Sequence, residues 1–111
     1  MTQKIHLDTD LGGDIDDLCA LAMLLRWKNV EITGITTAAE ADGRRAGYVR
    51  HVLELEGRSG IPVAAGADEA QGYYRYPKSS YRQDEKYWSR TICPSPNALE
   101  DAIRLLRRSV E

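Results

Sequence analysis

The chain has 111 residues, enough for one small domain. Its 42% apolar and 29% charged residues match a globular composition, and a net charge of −2 without a basic block gives no nucleic-acid footprint. The opening MTQKIHLDTD lacks a signal peptide's apolar segment, and no stretch approaches the ~18 apolar residues of a membrane span. Cys19 and Cys93 have no C-x-x-C spacing and read as free thiols in a reducing compartment, so a cytoplasmic protein is expected.

Residues 4–10 predict a first strand. Residues 14–28 predict a helix, with Leu18, Leu21, Ala22 and Leu25 at i, i+3, i+4, i+7. Cys19 is expected in its core and Trp27 as a packing residue at its end. The β-branched run VEITGITT at 30–37 predicts a second strand. Residues 43–56 predict a second helix, with Ala46, Val49, Val52, Leu53 and Glu56 at helical spacing. IPVAA at 61–65 is a short third strand. Residues 66–96 show little periodicity. A last helix at 97–110 carries Leu99, Ala102, Ile103, Leu106 and Val110 as its stripe. Its acids, Glu100 and Asp101, come first and its arginines last, as the helix dipole favours.

The order β-α-β-α-β-loop-α requires parallel strands with right-handed crossovers. The fold class expected is α/β, a Rossmann-like parallel sheet with helices on both faces. Ligands of such sheets bind at the carboxyl ends of the strands. Three short strands leave exposed edges, and a helix such as 97–110 normally leads into another strand. The chain therefore reads as a truncated, first part of a longer protein.

Five aspartates crowd the end of the first strand: Asp8, Asp10, Asp14, Asp16 and Asp17, in DTDLGGDIDDLCAL. Asp8 and Asp10, two apart on a strand, point to one face and Thr9 to the other. Asp14, Asp16 and Asp17 fall in the helix's first turn. Helix capping and dipole compensation account for a cap and an acid, at ~0.3–2 kcal/mol each, but not for five. A hard, oxygen-binding cation such as Ca²⁺ or Mg²⁺ relieves the repulsion. An EF-hand loop fails, because Cys19 stands at the position that needs a bidentate Glu and a strand precedes the loop. Asp8-Thr9-Asp10 also resembles the D-x-D of aspartate-nucleophile, Mg²⁺-dependent phosphatases. Those expect Thr or Val at Gly12 and leave Asp16-Asp17 unexplained. A non-catalytic metal- or ribose-binding module is the other alternative.

A more specific resemblance is to the inosine-uridine-preferring nucleoside hydrolases, whose signature is close to D-T-D-x-G-x-D-D-x-x-A-L. ITGITT at 32–37 and IPVAAGA at 61–67 are similar to that family's second and third strands, in order. The resemblance implies that 1–111 is the N-terminal part of a nucleoside hydrolase-like domain. Its members cleave the N-glycosidic bond of ribonucleosides to ribose and free base, with Ca²⁺ holding the ribose hydroxyls and a water. It implies Asp10 as calcium ligand and general base, Asp17 as a second ligand, Asp8 as support and Asp16 as a ribose contact. The partner implied is a small ribonucleoside, with neither nucleic acid nor membrane, and homo-oligomers of the full-length protein are an expectation.

Departures matter. Gly13-Asp14-Ile15 lengthens the turn, so Asp14 is a further candidate contact. Where the family often has Gly-Asn after the second strand, this chain has Ala39-Glu40-Ala41-Asp42. Asp42 is either a substitute for that Asn or a cap of the second helix. The family's remaining calcium ligands and its leaving-group His come later in the chain, so Asp8 to Asp17 supply half a site at most. His6, about 13 Å from Asp10 along the strand at ~3.3 Å per residue, and His51, expected to face solvent, read as structural. The 66–96 loop is expected to border the active site. Its Tyr73, Tyr74, Tyr76, Tyr81, Tyr87 and Trp88 are there either to stack on a nucleobase or to pack on protein.

Overall fold

The computed structural model describes residues 1–68 and 85–111. Within them run β1 (Gln3–Thr9), α1 (Ile15–Arg26), β2 (Val30–Thr37), α2 (Arg44–Leu55), β3 (Val63–Ala65) and α3 (Leu99–Val110). The strands form one parallel sheet in the order β1-β2-β3. This is the predicted α/β order. Leu21 and Leu25 of α1 and Val49, Val52 and Leu53 of α2 pack on Ile32, Ile35 and Val63. Ala64 points to the other face, where Ala102 and Leu105 of α3 cover it. Helices thus lie on both faces. Among the described residues no helix is long and apolar enough to cross a membrane.

Element ends differ from the periodicity for local reasons. β1 stops at Thr9; the Asp10 carbonyl accepts from the Arg45 side chain rather than from β2, so Asp10 lies beyond the strand. Asp14 is extended (φ −87°, ψ 143°) and α1 begins after it; Trp27 is extended too and ends it. α3 starts two residues later than predicted. The Asn97 side chain accepts the Ala65 amide (2.6 Å) and donates to the Ala65 carbonyl (3.0 Å), closing that point of the β3 edge.

The register between β1 and β2 shifts at Ile5/His6, leaving Thr33 unpaired. Its hydroxyl donates to the Ile5 carbonyl (2.9 Å). Beyond the shift, Asp8 lies opposite Thr36 and Thr9 opposite Thr37. Gly34 permits α3 to sit directly on β2, since a Cβ there would come within 2.5 Å of Ser109 Oγ.

Several expected positions change. Cys19 is exposed, one residue past the half-buried Leu18 on α1 and so turned away from the sheet. Ala22 is exposed for the same reason, and Trp27 is half-exposed rather than packed. His51 is buried, not solvent-facing, because Trp88 and Arg90 cover it. On α3 the sheet takes Ala102 and Leu105, whereas Leu99, Ile103, Leu106 and Val110 are 45–71% exposed.

The turn after β2 is organised by a carboxylate without solvent exposure. Glu40 accepts the Thr37 hydroxyl (2.6 Å) and the amides of Ala41 (2.9 Å), Arg45 (2.8 Å) and Ala46 (2.8 Å). It thereby satisfies two of the amides orphaned at the start of α2. A charged group can be buried because its acceptor sites are filled by donors. Glu40→Ala removes the charge and strands those donors. Urea unfolding should show a loss of at least about 1–3 kcal/mol, the cost of a buried donor left without its acceptor; a loss under about 1 kcal/mol would mean the carboxylate does not hold this turn.

Candidate functional site

Four of the five aspartates lie on or just after the β1–α1 turn, where the fully buried Leu11 anchors the backbone in the core. Three side chains from separate parts of the chain pin that backbone. The Leu11 amide donates to the Thr9 hydroxyl (3.2 Å). Arg45 of α2 donates to the Asp10 carbonyl. The indole N–H of Trp88 donates to the Gly12 carbonyl (3.2 Å). Arg45 also donates to the Ala39 carbonyl (2.8 Å), which ties the turns at the carboxyl ends of β1 and β2 together. Ala39 (φ 51°) and Asp42 (φ 53°) are left-handed without being glycine. Such residues cost on the order of 1–3 kcal/mol and persist where neighbours hold them, here Glu40 and Arg45.

Asp10 and Asp17 are neighbours in charge. The Asp17 carboxyl is pushed above its ordinary value by burial first, then by a hydrogen bond with Asp10 and the Asp10 charge. The Thr9 hydroxyl, 3.2 Å away, pulls in the other direction, and Asp16 adds a smaller like-charge push. Asp8 goes elsewhere. It accepts from the Thr36 hydroxyl (2.7 Å), which is also 2.9 Å from His6 Nε2. The hydroxyl proton is committed to Asp8, so His6 presents its Nε2–H to Thr36. Burial lowers the pKa of His6, against the raising pull of Asp8. Asp8 lines a groove of about 460 Å³ with Thr36, Thr37, Gly66 and Ile103, on the α3 side of the sheet.

The other candidates spread out. Asp14 is the N-cap of α1 but makes no side-chain cap bond, and Ile15 is 73% exposed. Asp42 is exposed, and its amide donates to Asp68 (3.3 Å). It does not cap α2. That helix starts after Gly43 (φ 78°) with no side-chain cap at the N-cap position, and Glu40 bonds its first amides instead. Thr9, Arg45 and Glu40 were missed by sequence reasoning. Thr37-Ala-Ala-Glu40 has T-x-x-E spacing, which was the available signal for Glu40. Of the loop aromatics, Trp88 stacks on Tyr48 (4.7 Å between centroids, 8° between planes), so it packs on protein. Tyr87 is exposed. Tyr73, Tyr74, Tyr76 and Tyr81 lie outside the described residues.

Among the described residues no three His, Cys, Asp or Glu side chains converge as a metal cluster. The donor chemistry of Asp10 and Asp17 still fits a hard cation as two of its ligands. Two neighbouring carboxyls, one held back from ionising, are a donor set that a divalent cation would relieve.

Residues 5–102 match the family described as inosine-uridine preferring nucleoside hydrolase. The chain belongs to this family. No curated protein matches it. Among solved structures it is similar to a plant nucleoside hydrolase, the PpNRh1 enzyme, with 24% identity and a TM-score of 0.51. That match covers 61% of this chain and 22% of that one, and it carries the fold. The chain thus spans about a fifth of that relative's length. In this nucleoside hydrolase family chain, the extra turn residues make Asp14 the N-cap and leave Asp16 and Asp17 in the first helical turn.

The raised Asp17 value has a definite sign. Its charged form is less favoured in the fold than in the unfolded chain. The cation-free fold therefore loses stability as pH rises from the ordinary carboxylate range through the raised Asp17 value. A ¹³C carboxyl NMR titration of the cation-free chain should place Asp17 above an ordinary carboxylate, and Asp10→Asn should bring it down. A midpoint indifferent to Asp10→Asn would refute the neighbouring charge.

Proposed function

We propose that this nucleoside hydrolase family chain carries the first half of an N-glycosidase site that, in the full-length protein, hydrolyses ribonucleosides to ribose and free base. What supports this best is the family match over residues 5–102, which takes in Asp10 just past β1 and Asp16 and Asp17 at the start of α1. Breaking an N-glycosidic bond builds positive charge on the sugar, as in an oxocarbenium ion. A set of carboxylates in a fixed turn stabilises such charge without having to reorganise.

Asp10 and Asp17 would hold Ca²⁺, with Asp8 in support from β1. When bound, the ion supplies orientation of the ribose diol and acidification of a water. Asp10 takes the proton from the attacking water. Asp16 accepts a hydrogen bond from a ribose hydroxyl, and Asp14 and Asp42 are candidates for further substrate contacts. Thr9 and Arg45 keep the Asp10–Asp17 turn in place.

In the full-length protein, Asp10→Ala should lower the rate of nucleoside cleavage by at least about 10²–10⁴-fold, the range of a lost general base, and weaken Ca²⁺ binding measured by calorimetry. An unchanged rate sinks the assignment. The purified 111-residue chain should release little or no free base from inosine or uridine, because most of the length of its solved relative has no counterpart in it. Sustained base release by that chain would overturn the half-site reading.

A further inference from the structure

The three bonds that pin the aspartate turn are not equivalent. Thr9 belongs to β1, adjacent to the turn, and Arg45 is on α2, inside the core framework. Trp88 alone comes from the segment between β3 and α3, more than seventy residues away along the chain. Its ring lies flat on Tyr48, which is 2% exposed, and its edge faces the buried His51. Arg90 donates to His51 Nδ1 (3.2 Å) from the same segment. The indole is therefore seated by α2, and from that seat its N–H reaches Gly12. Gly12 itself has no side chain to hold it and is followed by Gly13, the two most permissive positions in the turn.

We propose that Trp88 is a positioning residue that couples cation binding at Asp10 and Asp17 to the seating of the 85–96 segment. Gly12 lies between Asp10 and the helical turn bearing Asp16 and Asp17. A cation that draws Asp10 and Asp17 together narrows the backbone freedom of residues 10–14, and so favours the geometry in which Gly12 meets the indole. Linkage makes the effect reciprocal: a seated Trp88 tightens the cation site by the same factor as the cation tightens the seat. The 85–96 segment and the turn, which share a small cleft lined by Gly12, Gly13, Asp14, Tyr87 and Trp88, then respond as one unit. This inference rests on the proposed cation site.

The test uses the full-length protein and Ca²⁺. The side-chain indole N–H resonances of Trp88 and of the half-exposed Trp27 are followed during a titration, with calorimetry alongside. The Trp88 resonance should move on binding and that of Trp27 should not. Trp88→Phe keeps an aromatic ring on Tyr48 but loses the N–H. It should weaken Ca²⁺ about two- to tenfold, the scale of one net hydrogen bond. Leu105→Ala, a core truncation on the opposite face of the sheet, should lower the thermal midpoint and leave the affinity alone, which separates positioning from stability. Ca²⁺ binding with a stationary Trp88 resonance, or with an unchanged affinity in Trp88→Phe, overturns the coupling and leaves the cation site standing. No Ca²⁺ binding by the folded protein overturns both.

Discussion

A single buried carboxylate underlies the arrangement at the open end of this sheet. Glu40 fills its acceptor sites with the Thr37 hydroxyl and three backbone amides, so the end of β2, the strained Ala39–Asp42 turn and the start of α2 become one rigid corner. That corner aims Arg45, which bonds both the Ala39 and Asp10 carbonyls. The position of Asp10 thus depends on a side chain that touches neither the aspartates nor the groove directly. Were the Glu40 charge unpaired, its burial would cost far more than the fold of a small domain can offset.

The aspartate turn sits against this corner under opposing forces. Burial and the Asp10 charge hold Asp17 back from ionising, while the Thr9 hydroxyl favours its charged form. Side-chain bonds from three directions fix the backbone that carries Asp10, while the Thr9 hydroxyl holds Asp17. A carboxyl held back from ionising beside like charges is the kind of perturbed group that functional sites gather. Asp8 stands apart because the shifted register puts it opposite Thr36, where a hydroxyl satisfies it and His6 completes the chain of hydrogen bonds.

The α3 surface reflects a different constraint. Of its predicted apolar stripe the sheet buries Ala102 alone; Leu105, outside that stripe, packs beside it, with Gly34 allowing the close approach. The rest of the stripe remains exposed beside the Asp8 groove. Periodicity marks which residues are apolar on one side of a helix. It does not state how far round the helix the neighbour reaches.

Parallel order and the three strands could be read from the residues, because β-branched runs and helical spacing are local signals. The aspartates and the DTD-type signature pointed to the family in the same way. Ends of elements were less legible: Asp10 falls outside β1 and Asn97 outside α3 because partners distant in sequence claim their backbone or side-chain groups. His51 and Trp88 show the same limit, since each is buried or seated by the other's segment. What the residue order settled was the chemistry available, five carboxylates after a strand. Which two of them become neighbours depended on the register shift, the Glu40 corner and the Trp88 seat, all of which are contacts between segments that no local pattern encodes.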